Sequence, residues 1–483
     1  MIAKRLMQRE RLSWRIRLAF GVGQLAEGIK NSAFGIFLLF YYVSVMGLSG
    51  TMAGLALLIA LCFDGITDPL MGSLSDSFKS RWGRRHPFMY CAALPFAISF
   101  YFLFSPPDNL SPLELFSWLT FFSILTRGLM TIHSVPHLAL NAELSDDYLE
   151  RTTLSSMRNL FSMLGYLCVV AGGFFYFFKA TAEYANGQLN PAAYEPFALT
   201  FSLLMAIAIL LSATGTHSEI PRLKKAKKGI TAFSLKRLLS EINQVFSLDA
   251  SRRLVGAGVL FSALSGTMLA LTIFVLSYFW GFDNDQVGTI MPLSIIGSMV
   301  GALLARRLVL FVGEKNTSYI FTVIWFSAFI SVPVLLRLLG LMPENSSSSL
   351  FPIIAVTMIL ANIAVGTSIT IMAAMIADVT DEHELVYRVR QEGIYFGAIS
   401  FMGKVASGLG SFFAGVIIDL SGLSDLASVA TPADETLVRF GLIWGPFPIV
   451  IAVCATMVMR RYMIDRTKHE NTLEQLAQLR EST

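Results

Sequence analysis

Apolar segments long enough to cross a membrane recur along almost the whole sequence, with little polar sequence between them. A spanning helix needs roughly 20 mostly apolar residues, and it satisfies its own backbone hydrogen bonds inside the lipid. Of the 483 residues, 54% are hydrophobic and 14% are charged, whereas a soluble protein carries about 25% charged residues. The sequence therefore predicts an all-α integral membrane protein and excludes a soluble enzyme.

The apolar pattern predicts about twelve spanning helices. Loops after even-numbered helices hold most of the lysines and arginines, as in KSRWGRRHP from Lys79 to Pro87, whereas loops on the other side, such as SPPDNLSP, hold almost none. By the positive-inside rule, both termini are predicted to be cytoplasmic, and we expect a bacterial inner membrane. The segment centres lie at Phe34, Ile59, Phe96, Leu125, Leu164, Met205, Thr267, Ile295, Trp325, Ala361, Ser407 and Ile449.

A polar stretch from Thr216 to Gln244 divides the apolar segments into two groups of equal number. Basic, glycine-containing loops follow helix two and helix eight, at matching places in the two halves. Such internal repetition is typical of secondary transporters, whose substrate binds between the repeats near the bilayer midplane. The predicted parts are an N-terminal six-helix bundle over residues 1–215, a cytoplasmic linker over 216–250, a C-terminal six-helix bundle over 251–462 and a cytoplasmic tail over 463–483.

Helix two carries two carboxylates inside its predicted membrane segment. Asp64 and Asp68 lie one helical turn apart, which places their Cβ atoms about 5–6 Å apart on one face. Two carboxylates this close in a low-dielectric site cannot both stay ionised unless a cation or a proton lies between them. Hard oxygen ligands suit Na⁺ or Li⁺, and the Thr67 hydroxyl lies beside them. The pair predicts a cation site, with protonation of one carboxylate or a salt bridge to a basic residue as the alternatives.

Lys404 is the lysine placed most deeply in a predicted span. Glycine, alanine and serine flank it and allow close helix approach, and its ammonium group needs a carboxylate partner in lipid. We expect Asp64 or Asp68 to be that partner, with snorkelling to the cytoplasmic interface as the alternative.

Helices one and four carry further polar side chains inside their predicted membrane segments. In helix one, Glu27 and Lys30 lie about one turn apart, so that Lys30 can neutralise Glu27 locally. In helix four, His133, Ser134 and His137 supply a polar stripe. We expect these side chains to build a polar pocket, and structural hydrogen bonding is the alternative for the two histidines.

Charged residues cluster in the loop after helix two and again after helix ten. Asp76 can pair with the arginines of its own loop across a tight turn at Gly83, which would latch neighbouring helices together. We expect both clusters to act as gating elements that break and remake during alternation, and a solvated cytoplasmic face is the alternative. The expected gating residues are Asp76, Arg81, Arg84, Arg85, Asp378, Asp381, Arg388 and Arg390.

The sequence lacks the features that other classes of membrane protein need. It contains no HExxH, GxSxG or clustered His/Cys pattern, so neither enzymatic activity nor a resident cofactor is expected. The linker and the tail are too short to be the output domain of a sensor. The net charge is +4, with the basic residues in short loops, so nucleic acid is not an expected partner. The expected partners are membrane lipid and a small-molecule substrate, and we expect a functional monomer.

Three segments carry a resemblance to a known family of transporters. DGITDPLMGSLSDSFKSRWGRRHP covers helix two and its loop, ELSDDYLERTTLSSMR connects helix four to helix five, and ADVTDEHELVYRVRQEGIYFGAISFMGK leads into helix eleven. In this order they are similar to the glycoside–pentoside–hexuronide:cation symporters of the major facilitator superfamily, over nearly the whole chain. The resemblance implies the twelve-helix major facilitator fold and symport coupled to Na⁺, Li⁺ or H⁺.

The resemblance also implies roles for individual residues. Asp64, Thr67, Asp68 and Thr131 are implied to form the cation site, a metal site if the ion is Na⁺, and Lys404 is implied to link helix eleven to it. Arg158 falls near the family's sugar-contacting arginine. The family's acidic sugar ligands in helices one and four correspond here to Gly28 and Ser134, so a galactoside is not expected. The expected substrate contacts are Glu27, Lys30, His133, Ser134, His137, Arg158 and Lys404.

These observations together predict a secondary active transporter. We expect it to move a glycoside, a uronide or a similar small polar solute with a cation, by alternating access. A related eukaryotic branch carries lysophospholipids on what resembles the same fold, so an amphiphile is the alternative substrate. An uncoupled uniporter is the alternative mechanism.

Overall fold

The computed structural model describes residues 12–223, 243, 246–345, 347–388, 392–424 and 432–481. Within these residues the regular secondary structure is helical. The long helices are α1 Trp14–Ser32, α2 Gly50–Ser77, α3 His86–Leu103, α4 Pro112–Leu144, α5 Tyr148–Gly172, α6 Tyr194–Gly215, α7 Asp249–Ile273, α8 Asn284–Val312, α9 Lys315–Leu338, α10 Leu350–Tyr387, α11 Glu392–Ser421, α12 Asp434–Trp444, α13 Phe447–Met459 and α14 Arg466–Glu481.

The predicted number of membrane-spanning helices is confirmed. In the described residues, 11 helical segments have the length and hydropathy to cross a membrane, with α12 and α13 counted as one span. α1 is the remaining span, because the π-helical segments Ala33–Leu38 and Tyr41–Val45 extend it beyond Ser32. Each predicted segment centre falls in a different one of these spans.

Capping residues define where several spans begin. Ser111 and Glu114 form a capping box at the start of α4, and Asp283 and Gln286 form another at the start of α8. At the start of α5, the Asp147 carboxylate accepts a hydrogen bond of 2.8 Å from the backbone N–H of Glu150. These bonds satisfy N–H groups that have no partner within the helix, so the polar loops end at fixed positions.

The described chain divides into two compact units. The first contains the described residues of 1–38, 66–177 and 191–233, and the second contains those of 39–65, 178–190 and 234–483. The predicted bundle boundaries stay predictions. The linker predicted over 216–250 falls largely outside the described residues, and the tail predicted over 463–483 contains α14.

Small residues bring helix backbones together inside each unit. In the first unit, a Cβ atom at Gly28 of α1 would overlap the Ser162 carbonyl of α5, and one at Gly165 of α5 would overlap the Leu25 carbonyl of α1. In the second unit, Gly410 of α11 approaches the Ala263 carbonyl of α7 in the same manner. Close backbone approach of this kind replaces the hydrophobic driving force that lipid cannot supply. It also fixes the register of α1 against α5.

We expect Gly28→Ala to destabilise the first unit, because the added methyl group has no space against the Ser162 backbone. Overpacking of this kind costs about 1–3 kcal/mol. Thermal unfolding of the purified protein in detergent measures the loss. The matched control is Gly256→Ala in α7, where a Cβ atom would lie 3.5 Å from the Val458 side chain, in ordinary contact. Equal melting temperatures for the two variants would contradict the close packing of α1 on α5.

Candidate transport site

An ion pair joins α2 to α11 inside the second unit. The Lys404 Nζ lies 3.2 Å from Asp64 Oδ2, and Asp64 is only 5% exposed. Gly65 makes this approach possible, because a side chain there would meet the Phe401 ring, with its Cβ 2.7 Å from a ring carbon. A buried charge without a partner is costly in hydrocarbon, so each of these two groups stabilises the burial of the other.

Asp68 lies one turn further along α2, in the first unit. Its Oδ1 accepts a hydrogen bond of 2.9 Å from the hydroxyl of Thr131 on α4, and Thr131 is buried. Thr67 places a half-buried hydroxyl on the same turn. Pro69 has no N–H, so the Gly65 carbonyl is released from its normal helical hydrogen bond. This turn of α2 therefore concentrates the hard oxygen atoms that suit a small cation.

The polar side chains of α1 reach α5 through a residue that sequence analysis did not identify. Gln24 donates a hydrogen bond of 2.5 Å from Nε2 to Glu27 Oε2, and its Oε1 accepts one of 3.2 Å from Arg158 Nε. Glu27 and Arg158 are half-buried, whereas Gln24 is 8% exposed. The structure thus brings two of the predicted substrate residues to one place in the first unit.

The two histidines of α4 are buried against α1. His133 Nε2 lies 3.2 Å from the Gly23 carbonyl and His137 Nε2 lies 2.7 Å from the Phe20 carbonyl, so each ring donates to the α1 backbone. The rings stack on each other with centroids 5.2 Å apart. Both side chains therefore hold α1 against α4. Of the other predicted substrate residues on these helices, Lys30 is buried and Ser134 is half-buried.

The arginines after α2 form a compact ionic cluster in the first unit. Arg85 pairs with Asp76 of α2, and its Nε lies 2.8 Å from Oε1 of Glu143 on α4. Arg84 lies 2.9 Å from the same carboxylate oxygen. The cluster connects the end of α2, the start of α3 and the end of α4. Arg81, in contrast, lies over the Trp82 ring.

A second ionic cluster lies at the end of α10 in the second unit. Asp378 accepts hydrogen bonds of 2.6 and 2.8 Å from Lys315 at the start of α9. Lys468 of α14 lies 2.5 Å from Glu382, and His469 lies 3.5 Å from Asp378. α14 is therefore docked on α10.

The remaining predicted gating residues lie at or beyond the end of α10. Asp381 is on its last turns, and Arg388 caps the helix with a left-handed backbone at φ 59°. The predicted gating residue Arg390 lies outside the described residues.

A carboxylate clasp lies at the end of α2 opposite to Asp76. The Asp419 side chain of α11 accepts hydrogen bonds of 2.7 Å from the backbone N–H groups of both Gly50 and Thr51. These N–H groups belong to the first turn of α2, where the helix dipole favours a negative charge. Gly415, one turn before Asp419 on α11, is in backbone contact with Gly50.

Four residues of the site and its clusters are not among those predicted from the sequence: Gln24, Glu143, Lys315 and Asp419. Only Asp419 carried a usable signal, because a carboxylate in the last turn of an apolar helix is opposed by the helix dipole and needs a partner elsewhere. Glu143 and Lys315 acquire their roles from residues that are distant in the sequence, and so does Gln24 in its contact with Arg158. The other partner of Gln24, Glu27, lies one turn away on α1.

Comparison with known proteins identifies the family of this chain. Residues 19–466 match the family described as MFS/sugar transport protein. The chain belongs to that family. It is a multi-pass membrane transporter, and the expected resemblance to the glycoside–pentoside–hexuronide:cation symporters is confirmed.

Individual relatives cover almost the full length. The chain is 26% identical to an uncharacterized symporter of Synechocystis over 97% of both chains. It is 24% identical to the inner membrane symporter YicJ of Escherichia coli, over 98% of this chain and 96% of that one. It is also 22% identical to the sodium-dependent lysophosphatidylcholine symporter 1 of Gallus gallus, over 99% and 92%.

Solved structures share the fold at low sequence identity. The inward-open xylose transporter XylE of E. coli aligns over 96% of this chain and 99% of its own, with a TM-score of 0.62 and 14% identity. A bacterial homologue of the iron transporter ferroportin aligns over 93% and 99%, with a TM-score of 0.64 and 13% identity. The major facilitator fold is therefore confirmed.

We expect Glu143→Gln to destabilise the first unit, because it leaves the buried Arg85 and the half-buried Arg84 with the more exposed Asp76 as their remaining carboxylate. Leaving a buried charge without any partner costs about 3–5 kcal/mol, and because Asp76 still pairs with Arg85, we expect a loss at or below the lower end of that range. The control is Asp146→Asn, which removes an ion pair whose side chains are 41% and 45% exposed and should cost about 0–1 kcal/mol. Chemical or thermal unfolding in detergent compares the two, and a larger loss for Asp146→Asn would contradict the assignment.

Proposed function

We propose that this transporter is a cation-coupled symporter of a glycoside, a uronide or a similar small polar solute. The observation that carries the proposal is the turn of α2 on which Asp64 pairs with Lys404 and Asp68 accepts a hydrogen bond from Thr131. The names of the relatives support symport, and they include a glucuronide carrier homolog of E. coli and an isoprimeverose transporter of Lactiplantibacillus pentosus.

The coupling cation is proposed to bind at this turn of α2. Two carboxylates one turn apart repel each other when both are ionised, so a Na⁺, a Li⁺ or a proton between them lowers the free energy of the site. Asp64 and Asp68 supply charge, and the Thr67 and Thr131 hydroxyls supply neutral oxygen ligands. Lys404 competes for Asp64, so binding of the cation is expected to weaken the link between α2 and α11.

That competition provides a physical route to coupling. A cation that replaces Lys404 at Asp64 changes which contacts α2 makes, and therefore which conformation of the protein is favoured. Substrate that binds better to the same conformation raises the affinity for the cation, and the cation raises the affinity for substrate by the same factor. No direct contact between the two ligands is required.

Substrate is proposed to bind beside Gln24, Glu27 and Arg158, where an amide, a carboxylate and a guanidinium lie together. Such a set can donate to and accept from sugar hydroxyls, whereas His133 and His137 are already engaged with backbone carbonyls. By this proposal the histidines shape the site through the position of α1. Lys30 and Ser134 remain proposed contributors to this polar region of the first unit, and Lys404 of the second unit remains a proposed substrate contact.

A second candidate substrate is an amphiphile such as a lysophospholipid. One specific observation favours it, namely an apolar cavity of about 240 Å³ in the second unit. Side chains of α7, α10 and α11 line this cavity, among them Val259, Phe261 and Met372. A cavity of this size and character would accept a short alkyl chain or an aromatic ring.

The proposed setting is a bacterial inner membrane, with both termini cytoplasmic and the monomer as the functional form. The excess of lysine and arginine in the loops that follow even-numbered helices supports this orientation. In it, the ionic clusters at Asp76 and Asp378 lie on the cytoplasmic side and the Asp419 clasp lies on the outer side. The clusters and the clasp are then proposed gating contacts on the two sides of the membrane.

We expect Asp64→Asn and Asp68→Asn to abolish uphill accumulation of substrate in proteoliposomes with an imposed Na⁺ or proton gradient. The reason is that each variant removes one charge from the cation site. Asp108→Asn, in an exposed loop, is the control and should accumulate substrate normally.

Accumulation by Asp64→Asn or Asp68→Asn at the wild-type level would contradict the cation site. Gradient-independent equilibration by the wild-type protein would make a uniporter the correct description. Accumulation of a lysophospholipid, with no response to glycosides or uronides, would favour the second candidate.

A further inference from the structure

The Gln24 amide lies between two oppositely charged side chains of the first unit. Its NH₂ group donates to the Glu27 carboxylate, and its carbonyl oxygen accepts from the Arg158 guanidinium, 3.2 Å away. Gln24 is nearly inaccessible, with 8% of its surface exposed. A neutral amide can satisfy an anion and a cation at once, because it carries both donors and acceptors.

Without this amide, Glu27 and Arg158 would be expected to pair directly. Opposite charges attract strongly away from water, and arginine commonly binds a carboxylate through two parallel hydrogen bonds. Yet no ion pair joins Glu27 directly to Arg158 in the described part of the chain, although Glu27 is close enough to influence the guanidinium electrostatically. Gln24 instead forms a hydrogen bond with each of the two groups.

The backbone around Gln24 is fixed, so the spacing of the two charges depends on its side chain. His137 and His133 donate to the carbonyls of Phe20 and Gly23, immediately before Gln24. On the other side, Gly28 is in backbone contact with Ser162 of α5. α1 therefore cannot shift easily to bring Glu27 towards Arg158 or to move it away.

In this arrangement Glu27 and Arg158 each keep atoms that can form hydrogen bonds with a ligand. Arg158 uses Nε for Gln24, and its two terminal nitrogens have no hydrogen-bond partner among the described residues. The Glu27 oxygen Oε1 is likewise without a hydrogen-bond donor within the described chain. The two groups match a ligand with a carboxylate that accepts from the guanidinium and with nearby hydroxyls that donate to Glu27.

We infer that Gln24 is a specificity-determining residue that prevents Glu27 and Arg158 from closing on each other and so selects a hydroxylated organic acid, such as a uronide, over the neutral sugar. The inference rests on the proposed transport function and narrows its substrate class. Gln24 acts by positioning the two charged groups that contact the substrate.

The test compares two ligands that differ only at C6, which is a carboxylate in para-nitrophenyl β-glucuronide and a hydroxymethyl group in para-nitrophenyl β-glucoside. Isothermal titration measures their binding to the purified wild-type protein and to Gln24→Met, which keeps the length of the side chain and removes the amide. We expect wild type to prefer the glucuronide, and Gln24→Met to bind it about tenfold or more weakly, because Arg158 is then occupied by Glu27. Binding of the glucoside should change much less.

A double variant separates positioning from a structural effect. Glu27→Gln combined with Gln24→Met removes the competing carboxylate and should restore much of the preference for the glucuronide, which no general loss of stability would do. Gln24→Glu should lose the glucuronide selectively, because the new carboxylate pairs with Arg158. Gln188→Met is the control for loss of a buried glutamine, since Gln188 donates to Ser277 in the second unit, and it should leave the preference unchanged.

The outcomes distinguish a failure of the role of Gln24 from a failure of the proposed transport function. If Gln24→Met weakens both ligands equally, or if the double variant does not recover, the role of Gln24 is wrong while the proposed transport function stands. If the wild type prefers the glucoside, the selection of an acid is wrong. If the wild type binds neither compound, both the proposed substrate class and the inference are overturned.

Discussion

The ion pair between Asp64 and Lys404 is the interaction on which the candidate site depends. Each group would be costly to bury alone in hydrocarbon, so each one determines where the other can lie. The pair connects α2 to α11 at 3.2 Å and leaves Asp68, one turn away, to contact α4 through Thr131. The same helix thus contributes one carboxylate to an ion pair with α11 and a second carboxylate to a hydrogen bond with α4.

Close packing makes such precise placement possible. The hydrophobic effect does not drive helices together within lipid, so their association depends on close packing. Glycines such as Gly28, Gly165 and Gly410 bring backbones into contact where larger residues could not. The histidines of α4 add hydrogen bonds to the α1 backbone. With the register of α1 fixed in these ways, a single buried amide at Gln24 is enough to hold a carboxylate and a guanidinium apart.

The fold was predictable from the sequence because its determinants are local. Each spanning segment can be recognised from its own length and apolar composition, and all the predicted centres fall in separate spans. The prediction that Lys404 pairs with Asp64 or Asp68 followed from the cost of intramembrane charge, and the ion pair in the structure is with Asp64. The links from Glu143 to Arg84 and Arg85, and from Gln24 to Arg158, could not be predicted, since they join residues whose proximity arises only from helix packing. For the histidines of α4 the sequence left two roles open, a polar pocket or structural hydrogen bonding, and it could not indicate the backbone carbonyls of α1 to which they donate.

The Asp419 clasp has a consequence for how this contact can evolve. Its carboxylate is bound by the backbone N–H groups of Gly50 and Thr51, not by any side chain of α2. Every residue except proline carries a backbone N–H group, so the residue at position 51 can be substituted without loss of this contact. The contact is therefore not expected to cause correlated substitutions between α2 and α11. In related sequences, the acidic residue at position 419 would be its one visible sign.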